Sequence, residues 1–336
     1  MEHFDVFNGD ADGICALQQL RLAKPMASSL VTGVKRDIAL LARVPAQPGV
    51  SVTVLDVSLD ANRGALLALL QHGVEVEYFD HHFAGVLPED PNLTAHIETT
   101  PEICTSLLVD QHLAGRYWPW AIVGAFGDNL GRAARALAQR HALQADQIER
   151  LRELGESINY NAYGDSLADL MIAPARLYEI LHPYADPLDF AANEPVVQAL
   201  REARQQDMDL ALQMRPTAVL ACGTVYVFPD EAWTRRVRGV FSNLLATRSP
   251  HQAHAVLTVN AQGDYTVSVR APLTAPYGAD ALCRLFASGG GREAAAGIGW
   301  LPQDRLHDFV AAFEKAFVST SPVQSACRTT QGPAGH

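Results

Sequence analysis

The sequence predicts an α/β protein in two parts, an N-terminal domain built on a parallel sheet and a smaller C-terminal α/β domain. Three observations predict it. β-Branched and aromatic runs alternate with helical stretches near the start of the chain, as in a parallel sheet covered on both faces. Strand-like runs stop for a long helical stretch and resume after Pro216. The charge changes at the same place: residues 1–215 carry 29 acidic against 16 basic residues, and residues 216–318 carry 8 against 9.

In chain order, His3–Phe7 reads as a strand and Ile14–Ala23 as a helix with Leu17 and Leu20 inward. Val50–Leu55 (VSVTVL) is a β-branched strand, and Ala61–Gln71 a helix with Asp60 as its N-cap. Val74–Phe79 is the next strand, and residues from about 103 to 181 are mostly helical. The spacing gives a first domain over 1–185 and a helical linker over 186–215. The second domain, 216–318, has strands near Ala218–Phe228, His254–Asn260 and Tyr265–Arg270, a helix near Ala279–Ala287, the glycine run 288–291, and a last helix to Phe317. The polar, Gly/Pro/Ser-bearing stretch 319–336 is expected to be a disordered tail.

Composition narrows the function classes. No stretch approaches the roughly 20 apolar residues of a membrane helix, and MEHFDVFNGD has neither a basic start nor an apolar run, so a cytoplasmic protein is expected. Five scattered cysteines (Cys15, Cys104, Cys222, Cys283, Cys327) form no C-x-x-C pair and predict neither a disulfide framework nor a thiolate zinc site. A net charge of −11, concentrated before residue 215, suits carboxylates that hold cations and a small anionic substrate. It suits poorly a protein that tracks long nucleic acid through many Lys/Arg–phosphate contacts.

The chemistry-bearing residues fall after strands, where ligands of open parallel sheets collect. Asn8-Gly-Asp10-Ala-Asp12-Gly13 follows the first strand, Asp56 follows VSVTVL, and Asp80-His81-His82 follows VEVEYF. Asp128 in GAFGDN follows the apolar run Ala121–Phe126 and is placed at a fourth such end. Each alone reads equally as a turn or a helix cap; together they gather more carboxylates than can ionise without cations between them. Carboxylate and imidazole donors without thiolates suit Mn²⁺, with Mg²⁺ or Co²⁺ as further candidates.

These residues resemble the DHH phosphoesterase superfamily, in the order NGDADG, LDVS, DHH (Asp80, His81, His82) and GD, with GGGREAAAG (Gly289–Gly297) similar to the glycine signature of the family's associated C-terminal domain. The resemblance, nearest to nanoRNase-like and RecJ-like members, implies a hydrolase acting on phosphoric esters with two divalent cations and an active-site cleft between the domains. It implies Asp10 and Asp56 on one cation, Asp12, Asp56, His81 and Asp128 on the other, His82 near the scissile phosphate, and Asp80 orienting a histidine. Consecutive glycines let a ligand approach the backbone closely, and with Arg270 upstream and Arg292 adjacent, Arg270, Gly289, Gly290, Gly291 and Arg292 are expected to bind substrate phosphate or nucleotide. Two positions depart from the pattern: Asn8 stands where His or Asp is usual, and Arg292 where His is usual. Arg235, Arg236 and Arg238 read as a solvated helix face.

The expected substrate is a short 5′-phosphorylated oligonucleotide or a linear dinucleotide, with a cyclic dinucleotide or RecJ-like attack on single strands as alternatives. A catalytically weak nucleotide-binding regulatory protein is the alternative of another class. A homodimer is compatible with the resemblance, and no membrane partner is expected.

Overall fold

Strand pairing in a computed structural model, which describes residues 2–318, produces two sheets in two compact units, Met1–Gln205 and Gln206–His336. The expected tail and Cys327 lie outside the described residues.

In the first unit the elements run β1 (Glu2–Phe7), α1 (Ala11–Ala23), β2 (Ser29–Val31), β3 (Val50–Leu55), α2 (Leu59–Gln71), β4 (Glu75–Asp80) and β5 (Leu93–Ile97). Helices follow: α3 (Thr105–His112), α4 (Trp118–Gly127), α5 (Gly131–Arg140), α6 (Ala145–Ala162), α7 (Pro174–Leu181), α8 (Pro187–Asn193) and α9 (Pro195–Gln213), inside which the division between units falls. The five strands are all parallel in the order β2-β1-β3-β4-β5. The chain reverses its direction of travel across the sheet beside β1, so the carboxyl ends of β1 and β3 flank a topological switch point.

The alternation within VSVTVL explains how the sheet is covered. Val50, Val52 and Val54 join Phe4, Val6, Val76 and Tyr78 in the core shared with Leu66, Leu69 and Leu70 of α2. Leu55, with Phe7 and Phe79, faces the other way, into the core formed by α1, α3, α4 and α6. Ser51 and Thr53 share that second face with His3 and Asp5, so its amino-terminal half is polar. There a cavity of about 520 Å³, lined by His3, Arg21, Ser51, Thr53, Glu77 and others, lies at the opposite strand ends from the carboxylate motifs. Within it Arg21 bridges Asp5, His3 and Thr53.

The second unit contains β6 (Ala218–Leu220), β7 (Gly223–Phe228), α10 (Ala232–Arg248), β8 (Ala253–Val259), β9 (Tyr265–Arg270), α11 (Ala279–Cys283), β10 (Gly289–Arg292), β11 (Ala295–Leu301) and α12 (Leu306–Phe317). Its mixed sheet has the order β10-β11-β9-β8-β7-β6. Phe309, Phe313 and Phe317, one turn apart on α12, are fully buried in its core.

Three local expectations need correcting, and the glycine run, left without an assigned element, takes a definite form. The N-cap of α2 is Ser58, whose hydroxyl accepts the Ala61 N–H, while Asp60 sits inside the first turn. Ala121–Phe126 belongs to the helix α4 and not to a strand; an apolar run that short reads either way until its buried neighbours are known. The glycine run is the edge strand β10. Arg236 is buried against Asp207 at 2.8 Å, and Arg235 and Arg238 reach Asp230 and Thr258, so these arginines tie their helix down. Cys15, Cys104, Cys222 and Cys283 are buried free thiols, as expected.

Candidate metal centre

The turn after β1 is tight because Gly13 packs on the chain before it: a Cβ there would lie 2.2 Å from the Asn8 carbonyl oxygen. That turn makes Asp10 the N-cap of α1, with Oδ1 accepting the N–H groups of Asp12 and Gly13 at 3.0 and 3.1 Å. Asp12, in the first turn, aims its carboxylate at the amino end of α3, where Thr105 and Ser106 donate their backbone N–H groups at 2.7 Å each. Asp56 leaves β3 at φ +57°, a left-handed conformation that costs a non-glycine residue about 1 kcal/mol or more. Its N–H donates to the Phe79 carbonyl, and its Oδ1 accepts from the Thr105 hydroxyl at 3.2 Å.

His81 is set by a long-range contact. Its Nδ1 donates to the Ile103 carbonyl at 3.1 Å, which leaves Nε2 as the lone-pair nitrogen. That nitrogen lies 3.4 Å from Asp56 Oδ1 and 3.9 Å from Asp128 Oδ2. His82 turns Nδ1 to the fully buried Asp80, 2.7 Å away, and stands 4.0 Å from Asp56. Asp128 arrives from the carboxyl end of α4, a helix apolar on all sides and sunk in the core.

Two donor sets converge within 4.8 Å: Asp56, His81 and His82, and Asp12, His81 and Asp128. Burial, followed by the charges of Asp10, Asp12 and Asp128, drives the Asp56 carboxyl well above the ordinary range. Burial, followed by the Asp12 charge, pushes Asp128 up to about 6. Two carboxyls that resist ionisation, beside a free imidazole nitrogen, fit a divalent cation, which would relieve the repulsion that raises them.

Asp10 differs. Burial opposes its ionisation, but the Lys35 ammonium beside Oδ2 outweighs burial and holds its pKa below the usual value. Sequence reasoning missed Lys35, which also lies 3.3 Å from Asn159 Oδ1 and 3.6 Å from Asp128 Oδ1. The available signal was its place just after the short strand β2, at the same edge of the sheet as the other motifs. Asn8 donates to the Lys35 carbonyl at 3.5 Å, and its buried Oδ1 has no partner among the described residues.

In the second unit, register places Arg292, Ala295, Arg270 and His254 in one row across β10, β11, β9 and β8. Arg270 is held by Asn243 at 2.7 Å and Ser268 at 3.0 Å, whereas Arg292 is exposed at the sheet edge. Gly289 and Gly291 are dictated by packing: a Cβ would fall 1.7 Å from the Cys283 carbonyl oxygen and 2.5 Å from Ala296 Cα, respectively. A Cβ at Gly290 would meet nothing.

The parallel five-stranded unit with carboxylates and histidines at its strand ends, joined to a mixed-sheet unit, is a RecJ-like DHH fold. Among solved structures it is similar to a manganese-bound RecJ exonuclease, with a TM-score of 0.62 and 17% identity, covering 94% of this chain and 90% of that one. It is similar also to the pGpG-specific phosphodiesterase PggH of Vibrio cholerae (TM-score 0.56, 13% identity, 96% and 100% covered) and to CDC45 of Entamoeba histolytica (0.56, 10%, 94% and 95%). No protein-family model matches the sequence, and no curated protein does. No helix among the described residues is long and apolar enough to cross a membrane.

Proposed function

We propose that the protein is a divalent-cation-dependent phosphoesterase that hydrolyses short 5′-phosphorylated oligonucleotides or linear dinucleotides. The observation that carries this reading is the convergence of Asp12, Asp56, His81 and Asp128 beside a second histidine already paired with a buried carboxylate. A cation on these donors would supply charge to stabilise the phosphoryl oxygens and an acidified water as nucleophile. Mn²⁺ suits the mixed carboxylate and imidazole set, and a RecJ of similar fold binds manganese.

The chain's own residues do the rest. Thr105 and Ser106 hold the Asp12 carboxylate rigid, and the Ile103 carbonyl fixes the His81 tautomer. His82 has its pKa raised, first by the hydrogen bond to Asp80 and against the effect of burial, which favours the form that carries a proton on Nε2 as well as Nδ1. Its Nε2 can donate that proton to the departing oxygen. Arg270, Arg292 and the β10 backbone are the proposed contacts to the remaining phosphate of the substrate. A short substrate is supported by the acidic balance of residues 1–215 and by the fold shared with a pGpG-specific enzyme.

The test compares initial rates with Mn²⁺ on a 5′-phosphorylated dinucleotide, a cyclic dinucleotide and long single-stranded DNA, for the wild type and for Asp12→Ala and His81→Ala. The dinucleotide should turn over fastest, and each variant should lose at least about a hundredfold. Undiminished turnover in either variant would refute the reading, and tight nucleotide binding without hydrolysis would favour a regulatory binding protein instead.

A further inference from the structure

Lys35 is held in a way that a solvent-facing lysine is not. Its backbone N–H donates to the Ala162 carbonyl at 2.9 Å, and its own carbonyl accepts from Asn8. Its ammonium lies 5.8 Å from the centre of the Tyr163 ring. Asn159, Ala162 and Tyr163 all belong to the last turn of α6 or its cap, so one helix end grips both the backbone and the head of this side chain. The ammonium then meets three oxygens from three different places in the chain: Asp10 Oδ2, Asn159 Oδ1 and Asp128 Oδ1. Two hydrogen bonds, to Asp10 and Asn159, and a longer ion pair with Asp128 thus hold the ammonium in place.

Both donor sets that converge for a cation leave out Asp10 and Asn8. Asp10 has one oxygen committed to capping α1 and the other to Lys35. Asn8, the remaining neighbour on that side, is neutral. A divalent ion seated on Asp10 would therefore compete with the ammonium for the same oxygen and repel it at contact distance.

We propose that Lys35 replaces one of the two cations that the sequence resemblance implies, so that this chain binds a single divalent ion, on Asp12, His81 and Asp128 with Asp56 alongside. The inference rests on the phosphoesterase reading for its metal site and goes beyond it in assigning a fixed, protein-borne positive charge to the Asp10 side. That charge neutralises and orients, but it cannot acidify a water as a metal ion does. The two sides of the centre therefore divide their labour: the ion side activates, and the lysine side holds Asp10 and attracts the phosphate.

The experiment is Mn²⁺ binding to the full chain by equilibrium dialysis with elemental analysis, together with electron paramagnetic resonance, for the wild type, Lys35→Ala and Lys35→Gln. The wild type should hold one Mn²⁺ with an uncoupled spectrum. Both variants, with Asp10 released beside the already unpartnered Asn8 amide oxygen, should hold two, with the spectrum of a spin-coupled pair. Two ions in the wild type would overturn the inference and leave the phosphoesterase reading standing. One ion in the wild type and still one in both variants would also overturn it, because the ammonium would not be what excludes the second ion. Absence of saturable Mn²⁺ binding in the wild type would take down the phosphoesterase reading and this inference with it. Thermal melting establishes which variants are folded, and the ion count is read on those; two ions in the wild type overturn the inference whatever the variants do.

Discussion

The Oδ1 atom of Asp80 lies 2.7 Å from Nδ1 of His82 and also accepts the backbone N–H of His81 at 2.9 Å. One buried carboxylate thus sets the ring of one histidine and the main chain of the other.

Replacing Asp80 with Asn keeps the size of the side chain and removes its charge. Because Asp80 raises the His82 pKa and His82 acts in its protonated form, the alkaline limb of the pH–rate profile should move to lower pH. Turnover should fall by about 10- to 100-fold with KM little changed, as for other partners that orient a histidine. A pH–rate profile of the variant that overlays the wild type would remove Asp80 from this role.

Asp128 predicts a pH effect on stability with the cation chelated. Its folded-state value of about 6 lies above the unfolded carboxylate value of about 4. The folded chain therefore takes up a proton between these limits, and the stability this group contributes is fully present below about pH 4 and lost as pH rises through 6. Asp128→Asn mimics the protonated form at every pH. Relative to the wild type it should gain stability between pH 4 and 7, on the order of 2 kcal/mol, by urea unfolding in chelator. Saturating Mn²⁺ should shrink or reverse that gain.

The Asp5–Arg21 pair shows the opposite sign. Burial works against Asp5 ionising, but its hydrogen bonds from Arg21 and His3 prevail and lower its pKa. Its contribution is present above the unfolded value of about 4 and lost as pH falls through the lower folded value. Asp5→Asn leaves Arg21 buried without its counter-charge and should cost about 3–5 kcal/mol at pH 7, with the deficit narrowing in acid. Manganese binding, at the other end of the strands, should be unchanged.

The three glycines of β10 separate fold from function. Gly291→Ala, at φ +136° and against Ala296, should destabilise the second unit by about 1–3 kcal/mol. Gly290→Ala should leave the melting temperature within a degree or two, since its Cβ meets nothing. A rise in KM for that variant alone would mark close approach of a ligand to the strand; an unchanged KM would remove Gly290 from the substrate contacts.

Much of the centre was legible because β3 and β4 are rich in β-branched or aromatic residues and their ends are easy to place. Asp56 and the Asp80–His82 motif follow directly from those ends. In the first unit the strands that went unread, β2 with three residues and β5 with five, are too short to show a period, and Lys35 was lost with β2; in the second unit β10 and β11 went unread because glycine and alanine dominate them. Asp128 was placed near the right partners for the wrong local reason, because a buried helix and a buried strand share the same apolar composition over six residues. The contacts that settle the lone pair of His81 and the head of Lys35 bridge 22 and 124 residues of chain, and no local pattern encodes them.

The bend at Asp56 constrains what can follow it in evolution. Only Gly, Asn and Asp adopt that left-handed shape readily, and the codons of Asp and Asn differ by one base. A lineage can therefore silence this position in a single step while keeping the architecture intact. The same turn that equips the chain for chemistry gives its descendants a short route to becoming pure scaffolds.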